Sequence, residues 1–279
     1  MKCVQSLFVS FFAGLLTSSA FALDVYVETN YKNQPDMRPY GVKKVGPDPF
    51  KSGMIYEGNL WSKGQSKSLL PSQSRVTNFV KDKFGVDYNG LLVIDLETWP
   101  IKGGSDVIFK GYLDRYLTLL GWVQSAAPTA KVGYYGKPPI SNPSAAQQDE
   151  DEKLYTDWRA KNDRIAPLAD AVDAFFPSLY ATNDSRTHWV NYAAAMIKET
   201  KRYGTNKKIY PHINPEYHSS ARKGLAFKLI PEDYFLLQLQ TLKQQKADGV
   251  IIWAWGSQNT PWNANLPWWR ATLTFLGSR

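Results

Sequence analysis

Residues 90–100 read Gly-Leu-Leu-Val-Ile-Asp-Leu-Glu-Thr-Trp-Pro. An aliphatic run behind a glycine is typical of a strand buried on both faces, as in a parallel sheet covered by helices. Side chains alternate across a strand, so Asp95 and Glu97 point to the same side, about 7 Å apart along the backbone. Two carboxylates among apolar neighbours cost several kcal/mol unless they are paired or their pKa values move, and they therefore indicate a functional site. Val93 shares their face, and the opposite face carries Leu92, Ile94 and Leu96.

Strand patterns and helical patterns alternate along residues 23–279, with no change of composition that would divide a domain and no internal repeat. This alternation predicts one α/β domain, an irregular (β/α) barrel of TIM type with seven or eight strands. In such a barrel the reactive side chains lie at the C-terminal strand ends. The strand candidates are residues 23–27, 54–56, 90–97, 131–135, 174–180, 208–213 and 249–256. The helix candidates include 72–85, 106–126, 154–168 and 186–203, and a long loop is expected at 30–53.

The first 22 residues predict a secretory signal peptide. Lys2 precedes an apolar run that is too short for a membrane span, and Ala20-Phe21-Ala22 closes it. The mature chain is then residues 23–279, exported to a periplasm or secreted, with no membrane anchor. Cys3 is the single cysteine and would leave with the signal, so we expect neither a disulfide nor a thiolate site.

The amino-acid composition limits the classes of molecule that the protein is expected to bind. A formal net charge of +8 permits attraction to a polyanion such as an acidic polysaccharide. The 10 Trp and 16 Tyr exceed the needs of a core of this size, and aromatic faces are what sugar rings stack on. No nucleic-acid module is recognisable. The histidines lack metal-ligand spacing, and no Gly-x-Ser-x-Gly elbow of a serine hydrolase occurs. We therefore expect no metal and no cofactor. The expected partner is a polysaccharide and not a nucleic acid, and we expect the protein to be a monomer.

Four motifs, in order, resemble those of the animal and venom hyaluronidases. The motifs are Asp-x-Glu-x-Trp at 95–99, Gly-Tyr-Tyr-Gly-x-Pro at 133–138, Phe-Pro-Ser-x-Tyr at 176–180 and Gly-Val-Ile-Ile-Trp at 249–253. The resemblance covers most of residues 23–279. It implies an irregular barrel that hydrolyses bonds next to N-acetylhexosamine with retention. The chain departs from the family in lacking its disulfide cysteines, in being shorter, and in having Trp99-Pro100 where an arginine is usual.

The resemblance also implies roles for individual residues. Glu97 is the general acid and later the base, and Asp95 holds the acetamido group of the substrate. Tyr180 matches a tyrosine that helps to position this group, Trp253 matches an aromatic residue of the sugar pocket, and Tyr217 is a weaker match. The full set of predicted substrate-binding residues is Tyr135, Tyr180, Trp253, Trp255, Trp99 and Tyr217.

The residues themselves favour substrate assistance. Most retaining glycosidases place two carboxyl groups on opposite sides of the bond, about 5 to 5.5 Å apart, and side chains leaving one strand in one direction suit this poorly. If the acetamido oxygen of the sugar attacks instead, the protein needs an acid and a stabiliser on one side. Glu97 would protonate the leaving oxygen, with burial and the Asp95 charge favouring its protonated form. Asp95 would accept a hydrogen bond from the acetamido N–H and offset the developing positive charge.

Three readings stay open. The first is an endo-acting N-acetylhexosaminidase of hyaluronidase type, acting on hyaluronan or a related glycosaminoglycan. The second is a chitinase-like or peptidoglycan-glucosaminidase-like barrel, although Leu91 and Val93 stand near where the chitinases have further aspartates. The third is a sugar-binding barrel without turnover, which the retained Asp95 and Glu97 argue against. Separately, the two carboxylates could bond to an Arg or Lys inside the barrel as structural support.

Overall fold

A computed structural model of the chain describes residues 22–47, 52–101, 103–204, 206–254 and 260–278. Strands and helices alternate through these ranges, as predicted. The strands are β1 Asp24–Glu28, β2 Lys43–Lys44, β3 Met54–Tyr56, β4 Leu91–Asp95, β5 Lys131–Tyr134, β6 Ala174–Phe175, β7 Lys208–Ile209, β8 His212–Ile213 and β9 Gly249–Trp253. The helices are α1 Glu57–Leu60, α2 Gln73–Phe84, α3 Asp106–Ala126, α4 Pro143–Ala146, α5 Lys153–Arg164, α6 Ala166–Ala171, α7 Arg186–Arg202, α8 Glu232–Gln244 and α9 Pro267–Leu276, with a short 3-10 helix at Arg38–Tyr40.

All of the paired strands run parallel, in the orders β2-β1-β9-β8, β3-β4-β5 and β6-β7. Backbone hydrogen bonds link these groups around a ring. The N–H of Gly136 donates to the Phe176 carbonyl at 2.8 Å, next to β5 and β6, and the N–H of Gly53 donates to the Val45 carbonyl at 2.7 Å, next to β2 and β3. The fold is the predicted irregular (β/α) barrel of TIM type.

Prolines account for the irregular strands. The predicted strand 174–180 is regular only over β6, because Pro177 has no N–H to donate. Pro211 divides the predicted strand 208–213 into β7, which pairs with β6, and β8, which pairs with β9. The predicted helix 154–168 is likewise two helices, α5 and α6, with Pro167 in the first turn of the second.

Two apolar layers match the alternation of side chains along β4. Leu92, Ile94 and Leu96 belong to the outer core between strands and helices, whereas Val93 belongs to an inner core inside the ring. The facing predicted from residues 90–100 is therefore confirmed. The inner core consists of Val45, Met54, Leu91, Val93, Ala174, Phe176, Tyr210 and Ile251.

Helix α3 fixes the chain that follows β4. It begins after Ser105, whose hydroxyl accepts from the N–H of Ile108, and it buries Tyr116 against the barrel. The Tyr116 hydroxyl donates to the carbonyl of Trp99 at 2.9 Å. This bond ties the segment that carries Glu97 to a long, well-packed helix. None of the helices in the described ranges is long and apolar enough to cross a bilayer.

Candidate active site

A cleft of about 400 Å³ opens at the C-terminal ends of the strands. Asp95 is the last residue of β4 and Glu97 follows two positions later, so both carboxylates reach the same cleft, as their spacing along the strand predicts. The cleft is large enough for a small ligand such as a sugar ring. It is lined by Met54, Tyr56, Asp95, Glu97, Tyr135, Tyr180, Asn214, Glu216, Tyr217, His218, Ser219, Phe227 and Trp253.

The two carboxylates differ in burial. Burial raises the pKa of Asp95 to about 6, and the charges of Glu97 and Glu57 add to this, while the Lys137 ammonium opposes it. Glu97 is exposed to solvent. The expected burial of Glu97 is therefore wrong, because the apolar surroundings at the end of β4 enclose Asp95 instead.

Glu57 holds the turn that carries Glu97. Its Oε2 accepts the backbone N–H groups of Glu97 and Thr98, both at 3.2 Å, and the Thr98 hydroxyl at 2.8 Å. Lys67 pairs with its Oε1 at 2.8 Å. Although burial raises the pKa of Glu57, these hydrogen bonds outweigh it and lower that pKa. Sequence reasoning missed this residue, yet Glu57 directly follows the predicted strand 54–56, where a barrel places functional groups.

Aromatic side chains form another part of the cleft lining. The Tyr180 ring stacks on Trp253, with centroids 6.1 Å apart and planes inclined by 15°, and lies 5.8 Å from the Tyr135 ring. Trp253 donates its indole N–H to the Tyr56 hydroxyl at 3.1 Å. The Tyr135 and Ser178 hydroxyls lie 2.9 Å apart. The structure thus brings the predicted residues Tyr135, Tyr180 and Trp253 together around Asp95.

The tyrosine hydroxyls are neutral in this cleft. Burial raises the pKa of Tyr135 to about 12 and that of Tyr180 well above its usual value. A neutral phenol can donate a hydrogen bond to a carbonyl or carboxylate oxygen of a ligand. The buried wall therefore supplies both flat apolar surface and fixed polar groups.

A loop between β8 and α8 forms the third side of the cleft. Tyr217 lies in it, as predicted, and exchanges backbone hydrogen bonds with Phe227 and Lys228. The Tyr217 ring packs at 6.4 Å from the Tyr234 ring. Phe227, which sequence reasoning missed, is 56% exposed at the cleft and has a left-handed backbone, with φ of 63°. Burial also raises the pKa of Glu216, a third carboxyl group of the lining.

Trp99 lies behind the cleft wall. It is 1% exposed, donates its indole N–H to the Lys67 carbonyl at 2.7 Å, and meets the rings of Trp61 and Tyr116 edge-on. So little exposed ring leaves only a narrow contact for a sugar, and the substrate-binding role of Trp99 stays a prediction. The predicted Trp255 lies outside the described residues.

A second cavity, of about 430 Å³, also borders Glu97. The two cavities share Glu97 and Tyr135 among the lining residues that the structure describes. The ammonium of Lys137 borders the second cavity and donates to the Leu96 carbonyl at 2.7 Å. The second cavity is lined by Glu97, Trp99, Pro100, Ile101, Tyr135, Gly136, Lys137, Ser141 and Ser178.

His212 is fully buried next to Tyr135, and the centroids of the two rings are 5.2 Å apart. Burial lowers its pKa to about 3, so the ring is neutral. Neither ring nitrogen has a hydrogen-bond partner within the ranges that the structure describes. In those same ranges, no group of three or more His, Cys, Asp or Glu side chains is arranged to hold a metal ion.

Comparisons with known proteins agree with this geometry. No family model matches the chain. A salivary hyaluronidase of Lutzomyia longipalpis is 22% identical over 260 residues, covering 72% of this chain and 68% of that protein. The crystal structure of bee venom hyaluronidase superposes with a TM-score of 0.64 at 15% identity, covering 84% of this chain and 91% of that one. The chain resembles the hyaluronidases.

A second solved structure extends the likeness. Bee venom hyaluronidase in complex with a hyaluronic acid tetramer superposes with a TM-score of 0.63 at 15% identity, covering 91% of this chain and 95% of that one. The hyaluronidase-like barrel is therefore matched over nearly its whole length. At this identity the structural likeness establishes the fold, and the argument for activity rests on the cleft.

Proposed function

We propose that this hyaluronidase-like chain is an exported glycoside hydrolase that cleaves hyaluronan or a related glycosaminoglycan at β-linked N-acetylhexosamine, with retention and with assistance from the substrate's acetamido group. The observation that carries the proposal is the placement of Asp95 and Glu97 in one sugar-sized cleft that stacked aromatic rings also line. The complex of bee venom hyaluronidase with a hyaluronic acid tetramer supports a polysaccharide as the substrate.

Asp95 acts on the acetamido group. Its carboxylate lies at the buried end of β4 and is ionised above about pH 6. It accepts the acetamido N–H, turns the acetamido oxygen toward the anomeric carbon, and offsets the positive charge of the cyclic intermediate. Partial burial strengthens this interaction because water does not screen it.

Glu97 protonates the leaving oxygen and then activates the incoming water. Its exposed position at the mouth of the cleft lets it reach a glycosidic oxygen that lies between two sugar rings. A bound polysaccharide covers Glu97 and excludes bulk water from the leaving oxygen. The hydrogen bonds from its turn to Glu57 fix the backbone from which the Glu97 side chain extends.

The remaining lining residues bind and orient. The Tyr180 and Tyr135 hydroxyls donate to the substrate, and Trp253 is the floor on which the N-acetylhexosamine ring lies. Tyr217 closes the cleft from its loop, while Trp99 supports the wall that carries Glu97. We also propose that residues 1–22 are a signal peptide and that residues 23–279 act as one monomeric, periplasmic or secreted barrel domain.

The proposal predicts that Glu97→Gln lowers the turnover of hyaluronan by at least ~10²-fold, the usual scale for loss of a general acid. Binding of hyaluronan oligosaccharides should persist, because glutamine keeps the shape of the side chain. Reducing-end release and calorimetric titration measure the two quantities. Glu150→Gln, an exposed carboxyl group paired with Lys198, is the matched control and should leave turnover unchanged. Equal turnover by wild type and Glu97→Gln would remove the catalytic role.

A substrate screen separates the remaining readings. Hyaluronan, chondroitin, chitin oligomers and peptidoglycan are compared, with de-N-acetylated hyaluronan as the chemical control. Cleavage confined to N-acetylated glycosaminoglycans supports the proposal, and a preference for chitin or peptidoglycan supports the second reading. Cleavage of the de-N-acetylated polymer counts against substrate assistance, and binding without any cleavage supports the non-catalytic barrel.

A further inference from the structure

A buried carboxyl group lies inside the ring of strands, apart from the described residues that line the cleft. Glu28 is the last residue of β1, is 7% exposed, and faces inward like Tyr26. Its Oε2 lies 3.6 Å from the Lys44 ammonium and has no hydrogen-bond partner in the described ranges. Burial raises the pKa of Glu28, and the Lys44 and Lys83 ammonium groups oppose this. Buried ion pairs stabilise a fold weakly, so Glu28 needs a further explanation.

The Tyr56 hydroxyl connects Glu28 with the cleft. Tyr56 lines the cleft, and its hydroxyl oxygen accepts the indole N–H of Trp253 at 3.1 Å. The charge of Glu28 acts on the same hydroxyl and raises the pKa of Tyr56. Hydrogen bonding with Ser52 lowers the pKa of Tyr56 and also that of Glu28, so both groups share this serine as a neighbour. A carboxyl group outside the cleft is thereby linked to an aromatic ring inside it.

The direction of the Tyr56 hydroxyl proton follows from its bond to Trp253. A phenol has one proton, and because the Tyr56 oxygen accepts from Trp253, that proton must point to another acceptor. The Ser52 oxygen accepts the N–H of Met54 at 3.0 Å and has a second lone pair for Tyr56. The Ser52 proton is then directed to the Glu28 carboxyl group. Hydrogen bonds in such a chain strengthen one another.

We propose that Glu28 is a positioning residue, which acts through Ser52 and Tyr56 to fix the indole of Trp253 in the cleft. The held N–H keeps the ring in the orientation in which it stacks on Tyr180, with planes inclined by 15°. A ring that is fixed before binding loses less freedom when a sugar stacks on it. The benefit to sugar binding rests on the proposed function, whereas the fixing of the ring does not.

A merely structural role for Glu28 makes a different prediction. Removing one partner of a buried ion pair destabilises a fold, and this loss does not single out one tryptophan. Glu199→Gln is the matched control, because Glu199 is 3% exposed and pairs with Arg202 at 2.7 Å on α7. The test must therefore report on Trp253 separately from the stability of the whole protein.

Fluorine NMR of the full chain labelled with fluorotryptophan supplies this readout, and Trp253→Phe identifies the signal of Trp253 among those of the 10 Trp. We expect Glu28→Met and Ser52→Ala to shift or broaden this signal. Glu28→Gln keeps an acceptor oxygen and should leave it near its wild-type position, and Glu199→Gln should leave it unchanged. Ser52→Ala retains the buried ion pair, so it decides the question even if Glu28→Met does not fold.

A double variant tests the path through Tyr56. Tyr56→Phe removes the acceptor of the indole N–H, so adding Ser52→Ala to Tyr56→Phe should move the Trp253 signal no further. An unchanged Trp253 signal in Ser52→Ala would overturn the assignment. Equal shifts of the signals of all tryptophans, or a full further shift in the double variant, would also overturn it.

Binding of hyaluronan oligosaccharides tests what the fixed ring does. Ser52→Ala should weaken affinity about fivefold, the scale of one hydrogen bond. KM should rise by a similar factor while kcat changes little, because the ring contacts substrate and transition state alike. Unchanged affinity and KM would overturn the role in sugar binding. Failure of the proposed function looks different: the wild type would neither cleave nor bind the oligosaccharides, and the Trp253 signal would still decide whether Glu28 fixes the ring.

Discussion

Asp95 and Glu97 differ in environment although one residue separates them. Asp95 ends β4 inside the ring of strands, so its carboxyl group meets the apolar lining and its pKa rises to about 6. The chain leaves the strand before Glu97, which brings that side chain toward solvent. In the proposed mechanism this difference suits two tasks, one for a fixed and enclosed carboxyl group and the other for a carboxyl group that meets a leaving oxygen and water.

The raised pKa of Asp95 predicts a conflict between stability and function. Its pKa is about 6 in the folded protein against 3.8 ordinarily, so its ionisation destabilises the fold by up to about 3 kcal/mol. The stability that the protonated Asp95 contributes is fully present below pH 3.8 and is lost as the pH rises through about 6. Asp95→Asn should therefore abolish turnover, raise the free energy of unfolding at pH 8, and change it little at pH 4.

Denaturant unfolding of wild type and Asp95→Asn at the two pH values measures this effect. Asp114→Asn is the control, because Asp114 is exposed and pairs with Lys110 at the surface of α3. We expect Asp114→Asn to change stability little at either pH. A destabilised Asp95→Asn at pH 8 would show that the ionised carboxylate is not in an unfavourable place.

At the scale of elements, the short helix α1 and the turn after β4 act as a unit. Glu57, the first residue of α1, accepts hydrogen bonds from the backbone of Glu97 and Thr98, 40 and 41 residues away along the chain. Lys67 holds the Glu57 carboxylate from the following loop. The backbone position of Glu97, the proposed general acid, thus depends on a residue of α1.

Glu57→Ala should lower kcat roughly tenfold or more while KM changes little, because small displacements of a catalytic group have large effects on rate. The unbonded N–H groups of residues 97 and 98 should also lower the melting temperature. Steady-state kinetics and thermal unfolding measure the two effects, and Glu150→Ala controls for the loss of an ion-paired carboxylate elsewhere. A wild-type kcat with a lowered melting temperature would limit Glu57 to a structural role.

At the scale of the whole molecule, the barrel depends on close approach between β5 and the strand that precedes Tyr180. A Cβ added at Gly133 would lie 2.3 Å from the Ala174 carbonyl oxygen and 2.9 Å from the Phe176 ring. The Ala174 carbonyl oxygen belongs to the backbone, so it can make room for the added Cβ only if β6 moves. Both strands carry cleft residues at their C-terminal ends, so packing inside the ring and the shape of the cleft are linked.

Gly133→Ala should destabilise the protein by about 1–3 kcal/mol or more, the cost of overpacking a core, and should reduce activity. Gly121→Ala is the matched control. It places the same methyl group on α3 with nothing within 4 Å, and alanine there should be neutral or stabilising by up to about 1 kcal/mol. Urea unfolding of the two variants measures the difference. Similar stabilities would contradict a close approach at Gly133.

Residues 90–100 and the alternation of strand and helix patterns were sufficient to predict the barrel, the facing of β4 and the presence of both carboxylates in one cleft. The order of four motifs was sufficient for the hyaluronidase resemblance. These features are readable because side-chain periodicity and strand-end position are local properties of the chain. Tyr135, Tyr180 and Trp253 could be proposed for the same reason, since each lies at or near a strand end.

Tertiary packing settled the rest. It partly buried Asp95 and exposed Glu97, placed Trp99 behind the wall, brought Glu57 to the turn that carries Glu97 and Phe227 to the cleft, and opened a second cavity beside Lys137. Each of these features depends on contacts between segments that are far apart in the chain, such as Glu57 with Thr98. The local periodicity of the sequence does not predict such contacts. The residue types at a strand end determine which chemical groups that strand can contribute. Which other side chains lie beside them depends on how the loops pack.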